Sequence, residues 1–339
     1  MIELDRLQDL VTAARRAGAD QADALFAASA SLSVQRRLRQ VEQIERSESV
    51  DIGLRVFVGR RQAIVSTNDA DPATFLALAE RAVAMARVVP EDPFAGIPEA
   101  VAFFIPDLDL ADAAEPSAEA LLDRSAAAED AALAVSGITN SEGAEAGWSR
   151  TRIALAASNG FAGEYARTSH SVSATALAGE GTGMERDWDY SSVVHLADLG
   201  DATTIGRNAG ERAVRRLAPR RPASGRFPVV FDPRVSGSLL GHLSGAVNGA
   251  SVARGTTFLK DSLGKRVMAA GLTVRDDPYR RRGLRSRPFD GEGMPGKPMA
   301  LVEDGVLTTW VLDWRSARQL GLASTGHASR GISGPLGPS

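Results

Sequence analysis

The chain has 339 residues, 44% hydrophobic and 24% charged, with a net charge of −3. That is long enough for two packed domains and carries no global attraction to nucleic acid. Cysteine is absent, which excludes disulfides, thiolate zinc sites, iron–sulfur clusters and cysteine nucleophiles. Any metal would need His, Asp or Glu, and the four histidines, His170, His195, His242 and His327, are far apart in sequence. No apolar run approaches the roughly 20 residues of a membrane-spanning helix, and Met1-Ile2-Glu3-Leu4-Asp5 is acidic where a signal peptide is basic. A cytoplasmic protein without membrane contact is expected.

Leu4, Leu7, Leu10, Val11 and Ala14 recur at helical spacing before Gly18, predicting an amphipathic helix over 3–17 with a C-terminal glycine. A sheet is expected from 24–34, from the polar stretch over 35–49 and from the alternating 50–58, followed after Gly59-Arg60-Arg61 by 62–66. Asp71-Pro72 caps a helix whose inward face is Phe75, Leu78, Ala79, Ala82, Val83 and Ala86. Residues 90–116 hold five prolines and little periodicity, as a connector would.

Ser117 caps an alanine-rich helix over 118–135, with Leu121, Leu122, Ala126, Leu133 and Val135 as its apolar positions. Residues 152–158 and 161–167 flank Asn159-Gly160, the strongest short hairpin signal. Further strands are expected at 171–178, 190–195 and 227–231, and helices at 201–217 and 233–247. A second hairpin turns at Asp304-Gly305 between 299–303 and 306–312. The fold class is α+β: an N-terminal α/β domain of meandering strands with covering helices (1–90), a connector (91–116), and a β-rich second domain with inserted helices (117–339).

Several segments in order carry a resemblance. They are Glu48 to Val56 followed by Ser66-Thr67-Asn68-Asp69, then Phe231-Asp232-Pro233 through Leu243, then Gly255 to Lys265. Pro288-Phe289-Asp290-Gly291-Glu292-Gly293 and Ser324-Thr325-Gly326-His327-Ala328 complete the set. Together they resemble the PmbA (TldE) branch of the TldD/PmbA metalloprotease family across nearly the whole chain. The resemblance implies a cytoplasmic protease of two related subunits that processes peptides and degrades small or unfolded proteins. An older family name refers to DNA gyrase modulation.

In the catalytic subunit of that family, H-E-x-x-x-H on a helix binds zinc and places a glutamate to activate water. The corresponding segment here, Leu239 to Gly249, fits no register of that motif. Anchoring on Leu239-Leu240 puts Gly241, His242 and Ala246 at the three motif positions, and starting from His242 puts Leu243 and Val247 at the other two. The resemblance therefore implies a non-catalytic subunit of a heterodimer, with no cofactor of its own and zinc in a TldD-type partner. It also implies a chain truncated at its C-terminus, because family members continue beyond Ala328 into further strands. The alternative is a gyrase modulator-type binding protein without protease activity.

His242, Asn248, His327 and Arg330 are the candidate peptide- or partner-contacting residues, with His327 and Arg330 in a glycine-bearing loop of the kind that carries binding residues. Gly179 to Gly183 is glycine-rich but leads into no amphipathic helix, so it is expected to be a hairpin tip and not a phosphate loop. No G-x-S-x-G elbow occurs. Arginines cluster over 212–226 and 280–287. A solvated surface is the expectation for both, with nucleic acid an improbable partner because aromatic residues around them are sparse.

Overall fold

The computed structural model describes residues 2–99, 101, 104 and 106–339; Ala100, Ala102, Phe103 and Ile105 of the expected connector, and Met1, lie outside the described residues. Six long strands dominate: β1 (Gln21–Arg37), β2 (Gln40–Val58), β3 (Arg61–Thr67), β4 (Ile138–Ala157), β5 (Ala162–Ala178) and β6 (Glu185–Val193). They form one antiparallel sheet in the order β3-β2-β1-β4-β5-β6. The sheet runs straight across the connector, because β1 pairs with β4 from Asp23↔Ala157 to Arg36↔Ala144.

Alternation along β1 decides what each face meets. Ala22, Ala24, Phe26, Leu32 and Val34 point to one side, where α1 (Ile2–Arg16), α2 (Phe75–Val88) and α3 (Ala118–Leu133) pack on them. Cross-strand partners carry that face over to Ala144 on β4 and Ala174 on β5, where α3 and α4 (Ala202–Arg215) cover it. The opposite side presents Asp23 and Leu25 and then a half-buried serine row, Ser29, Ser31 and Ser33.

Small residues set the helix layer. A Cβ at Gly206 of α4 would lie 1.8 Å from the Ala128 carbonyl oxygen of α3, so the two helices cross almost at backbone contact. The expected inward face of α3 is partly different: Leu121 is buried, but it is joined by Ser125, Ala128, Glu129 and Ala132. Glu129 explains the β1–β2 turn. Leu38 and Arg39 both have positive φ, at 49° and 65°, a region that costs non-glycine residues about 1 kcal/mol or more each. Their N–H groups donate to the buried Glu129 carboxylate at 2.6 and 3.0 Å. The polar stretch over 35–49 joins the sheet as expected, as the end of β1 and the exposed first half of β2; the charges of that half suit an edge with no strand beyond it.

The chain after α4 builds a second layer. It contains α5 (Pro233–Ala246), α6 (Gly249–Ala253), the small sheet β7 (Val274–Asp276), β8 (Met299–Glu303) and β9 (Val306–Leu307), then α7 (Trp314–Leu320) and the bridge pair β10 (Ala328–Ser329) and β11 (Gly337–Pro338). The Asp304-Gly305 turn forms as expected, with φ of 47° and 79°. Its second strand stops at Leu307, because Trp310, Val311 and Leu312 leave the ladder to enter the core of this layer. The strand expected at 227–231 does not form: Phe227, Val229, Val230 and Phe231 are exposed. Pro228 lacks the N–H that a ladder needs. The hairpin tip at Gly179–Gly183 is borne out as the β5–β6 connection.

Candidate functional site

Four candidate residues arrive at three different places. His242 is exposed on α5, with no hydrogen-bond partner among the described residues. Around it α5 exposes Val235, Leu239 and Leu240. Asn248 is the N-cap of α6, its Oδ1 accepting from Ser251 N at 3.2 Å and its Nδ2 donating to Pro338 O at 2.5 Å. His327 and Arg330, three residues apart, are brought to the second layer's contact with the sheet.

There His327 is 7% exposed, with Nδ1 2.8 Å from the Thr325 carbonyl oxygen and Nε2 3.1 Å from Asp276 Oδ2. Arg330 is buried and ion-paired to Asp23 of β1. Asp23 also accepts from Arg55 of β2 at 2.5 Å, and Arg55 lies 3.7 Å from Glu292. Glu292 accepts from Trp314 N at 2.9 Å, the first residue of α7. Asp290 accepts from the backbone N–H groups of Glu292, Met294 and Ala328 at 2.8 to 2.9 Å, which ties the 288–294 segment to the 326–330 loop.

Burial dominates the titration of this cluster and is answered unequally. It raises the pKa of Asp23, but Arg330 and Arg55 outweigh it and hold the carboxyl below its ordinary value. Burial also opposes the charge on Arg55, yet Asp23 and Glu292 keep the guanidinium above its ordinary value. For Arg330 burial wins over Asp23 and the value falls. Glu292 is pushed up to about 8 by burial, with Arg55 pulling it down and Asp290 pushing it further up. Arg330 Nε and Nη2 are buried with no hydrogen-bond partner among the described residues.

Two adjoining cavities open beside this cluster and share Tyr165, Arg287 and Ser329 as lining. The smaller, about 200 Å³, is mainly apolar, walled by Leu25, Ile153, Leu155, Phe289 and Ile332 and by Arg330. Phe289 packs edge-on against both Phe161 and Tyr165, with centroids 5.1 and 5.3 Å apart. The larger, about 710 Å³, is lined by Arg167, Arg280, Arg285 and Arg287 together with Asp276, Asp277 and His327.

Sequence reasoning missed Asp23, Arg55 and Arg167, and it read the 280–287 arginines, three of which line the larger cavity, as a solvated surface. A signal existed for Arg55, a lone charge in the apolar run Ile52-Gly53-Leu54-Arg55-Val56-Phe57, since a charge at an inward strand position needs a partner. The remaining histidines lie elsewhere: His195 Nε2 is 3.1 Å from Asp109 Oδ1, and His170 Nε2 is 3.3 Å from Asp112 Oδ2. His195, just past β6, ties to the connector, while His170 of β5 lies against it with neither ring nitrogen hydrogen-bonded among the described residues. Among the described residues no group of three or more His, Asp or Glu could hold a metal ion, and none of their helices is long and apolar enough to cross a membrane.

With this geometry in hand, the sequence matches three consecutive domain profiles of one family: PmbA/TldA metallopeptidase domain 1 over 22–86, the central domain over 111–217 and the C-terminal domain over 224–339. The chain belongs to the PmbA/TldA metallopeptidase family. It is 37% identical over 312 residues to Metalloprotease PmbA of Escherichia coli O157:H7, covering 91% of this chain and 69% of that protein. A Metalloprotease PmbA homolog of Haemophilus influenzae is 31% identical, covering 94% and 71% of the two chains. A crystal structure of a Bacteroides thetaiotaomicron protein, proposed as a modulator of DNA gyrase, superposes with a TM-score of 0.89 at 26% identity, covering 98% of this chain and 76% of that one. TldE from Thermococcus kodakarensis shares the fold, with a TM-score of 0.83 at 19% identity and coverage of 98% and 76%.

The family's zinc does not fit the residues of α5. One turn either side of exposed His242 stand Ser238 and Ala246, and Gly241 to Gly249 contains no carboxylate. A zinc site needs at least three protein ligands and, for hydrolysis, a base.

Proposed function

We propose that this chain is a non-catalytic subunit of the PmbA (TldE) type, which pairs with a zinc-bearing TldD-type subunit in cytoplasmic peptide processing and proteolysis. The observation that carries the reading is α5, which has one exposed histidine, no carboxylate from Gly241 to Gly249 and an apolar outer face of Val235, Leu239 and Leu240. A helix that keeps its place in the fold without the zinc-binding chemistry is better suited to presenting a surface than to hydrolysis. Phe227, Val229 and Phe231 extend that exposed apolar surface in sequence, and apolar surface of this kind suits a protein interface. On this reading His242 meets the partner and His327 faces the peptide. Asn248 and Arg330 shape the loops that present them.

Three samples test it: this chain, a TldD-type subunit, and their mixture, each with an unfolded peptide and with or without a chelator. Cleavage by the mixture alone, lost with chelator, is the expected result. Chelator-sensitive cleavage by this chain alone at high purity would refute the non-catalytic assignment. Full activity of the partner alone would remove this chain from the site. The gyrase-modulator description of the Bacteroides protein favours a second reading, a gyrase-binding protein without proteolysis. Capture of gyrase by this chain, with no gain of cleavage in the mixture, would select it.

A further inference from the structure

We infer that the arginine-lined cavity is a binding site for the carboxylate side chains of an acidic peptide segment, with the adjoining apolar pocket taking a neighbouring hydrophobic side chain. This deepens the proposed role in peptide processing and rests on it for the peptide's fate, but the binding itself belongs to this chain.

The second arginine cluster is divided by the fold. Arg281 and Arg282 are paired to Asp109, and Arg282 also to Asp198. Arg280, Arg285 and Arg287 have no carboxylate within ion-pairing distance among the described residues, and all three line the cavity of about 710 Å³. Arginines gathered without ion pairs of their own repel one another, and the repulsion is relieved when an anion enters. Guanidinium groups match carboxylates with two parallel hydrogen bonds.

A second, independent observation lies in the adjoining pocket. Arg330 lines it with a side chain only 1% exposed, and its Nε and Nη2 have no hydrogen-bond partner among the described residues. Buried donors left unmade are costly, and a backbone carbonyl of a peptide whose hydrophobic side chain enters this pocket would be a partner for them.

The shape favours a peptide over a nucleic acid. The arginines sit in a concavity whose lining also includes Asp276 and Asp277, which would repel a continuous run of phosphates. Tyr165, the aromatic side chain at the junction, is occupied edge-on by Phe289 and gives no stacking platform for bases. A peptide alternates charge with apolar groups, as the two cavities do.

The test is fluorescence anisotropy with the 339-residue chain and a labelled, unstructured octapeptide containing two glutamates flanking a leucine. Its controls are the same peptide with glutamines, the same with serine for leucine, and a single-stranded octanucleotide as competitor. The acidic peptide should bind at least about tenfold more tightly than the glutamine peptide, the difference expected for losing one charge-assisted pair. Arg280→Ala with Arg285→Ala should reduce binding by at least tenfold. Both residues are exposed, and the single variant Arg285→Glu repeats the test if the double variant is less stable. Serine for leucine should weaken binding several-fold. Equal binding of the glutamine peptide, indifference to either variant, no binding, or displacement by the oligonucleotide at lower concentration than by unlabelled acidic peptide would each overturn the inference. No partner subunit is present, so failure here leaves the proposed pairing standing, and failure of pairing leaves a positive binding result standing.

Discussion

Arg55 and Arg330 lie between the sheet and the second layer, with side chains 3% and 1% exposed and Asp23 between them. Arg280 and Arg285 stand exposed at a cavity and form no ion pair among the described residues. The residue type is the same and the consequences are opposite. In the first region every charge is out of water, so the charges hold only as a set, and the set bridges β1, β2, the 288–294 segment and the 326–330 loop. In the second region each charge is solvated and separable, free to meet a ligand. Buried ionic groups are a commitment of the fold, and exposed ones are available for recognition.

Removing one carboxylate breaks this contrast hardest. Asp23→Ala leaves Arg55 and Arg330 without their shared partner, and a broken buried pair of this kind costs about 3–5 kcal/mol. Urea unfolding should show the midpoint falling with an unchanged slope. A loss below about 1 kcal/mol would mean that the cluster is effectively solvated.

A smaller effect should follow pH. Glu292 has its pKa raised from 4.5 to about 8 by burial, so the folded chain holds this proton more tightly than the unfolded chain. The stability it confers is complete below about 4.5 and is lost as pH rises through about 8. Unfolding measured at pH near 5 and near 8.5 should show lower stability at the higher value. Glu292→Gln, which stays neutral and keeps an acceptor for Trp314 N, should flatten that difference. A slope unchanged in the variant would assign the pH dependence to other groups. The smallest effect is expected at the cavity: Arg285→Ala should change stability by no more than about 0.5 kcal/mol, checked in the same unfolding assay, because the side chain has no ion pair to lose.

Where local pattern suffices, the elements were legible in advance. The α2 face, Phe75 to Ala86, is buried as its spacing predicts, because an amphipathic helix has one way to turn its apolar stripe inward. Asp71 and Ser117 cap their helices through N–H groups two or three residues on, since capping is decided within one turn. Less was legible where a partner distant in sequence decides. Glu129 reads as a surface helix charge until the β1–β2 turn is laid against it. Phe227–Phe231 reads as a strand, and no strand pairs with it. Of the four candidate site residues, the structure brings His327 and Arg330 together in one loop, beside Asp23, Arg55 and Arg167, which the sequence did not single out, and Arg280, which it read as part of a solvated cluster.

By itself the sequence determined the family, the α+β class, the absence of thiolate chemistry and the loss of H-E-x-x-x-H, for these are properties of residue identity and order. Only the tertiary structure decided that β1 and β4 join one sheet across the connector, which arginines lose their charge partners and which keep them, and that Arg330 is buried while His242 is exposed. Pairings of this kind bring together residues such as Asp23 and Arg330, 307 positions apart. No local spacing encodes them: they arise when closing the core forces particular faces together and each buried charge must find its counterpart there.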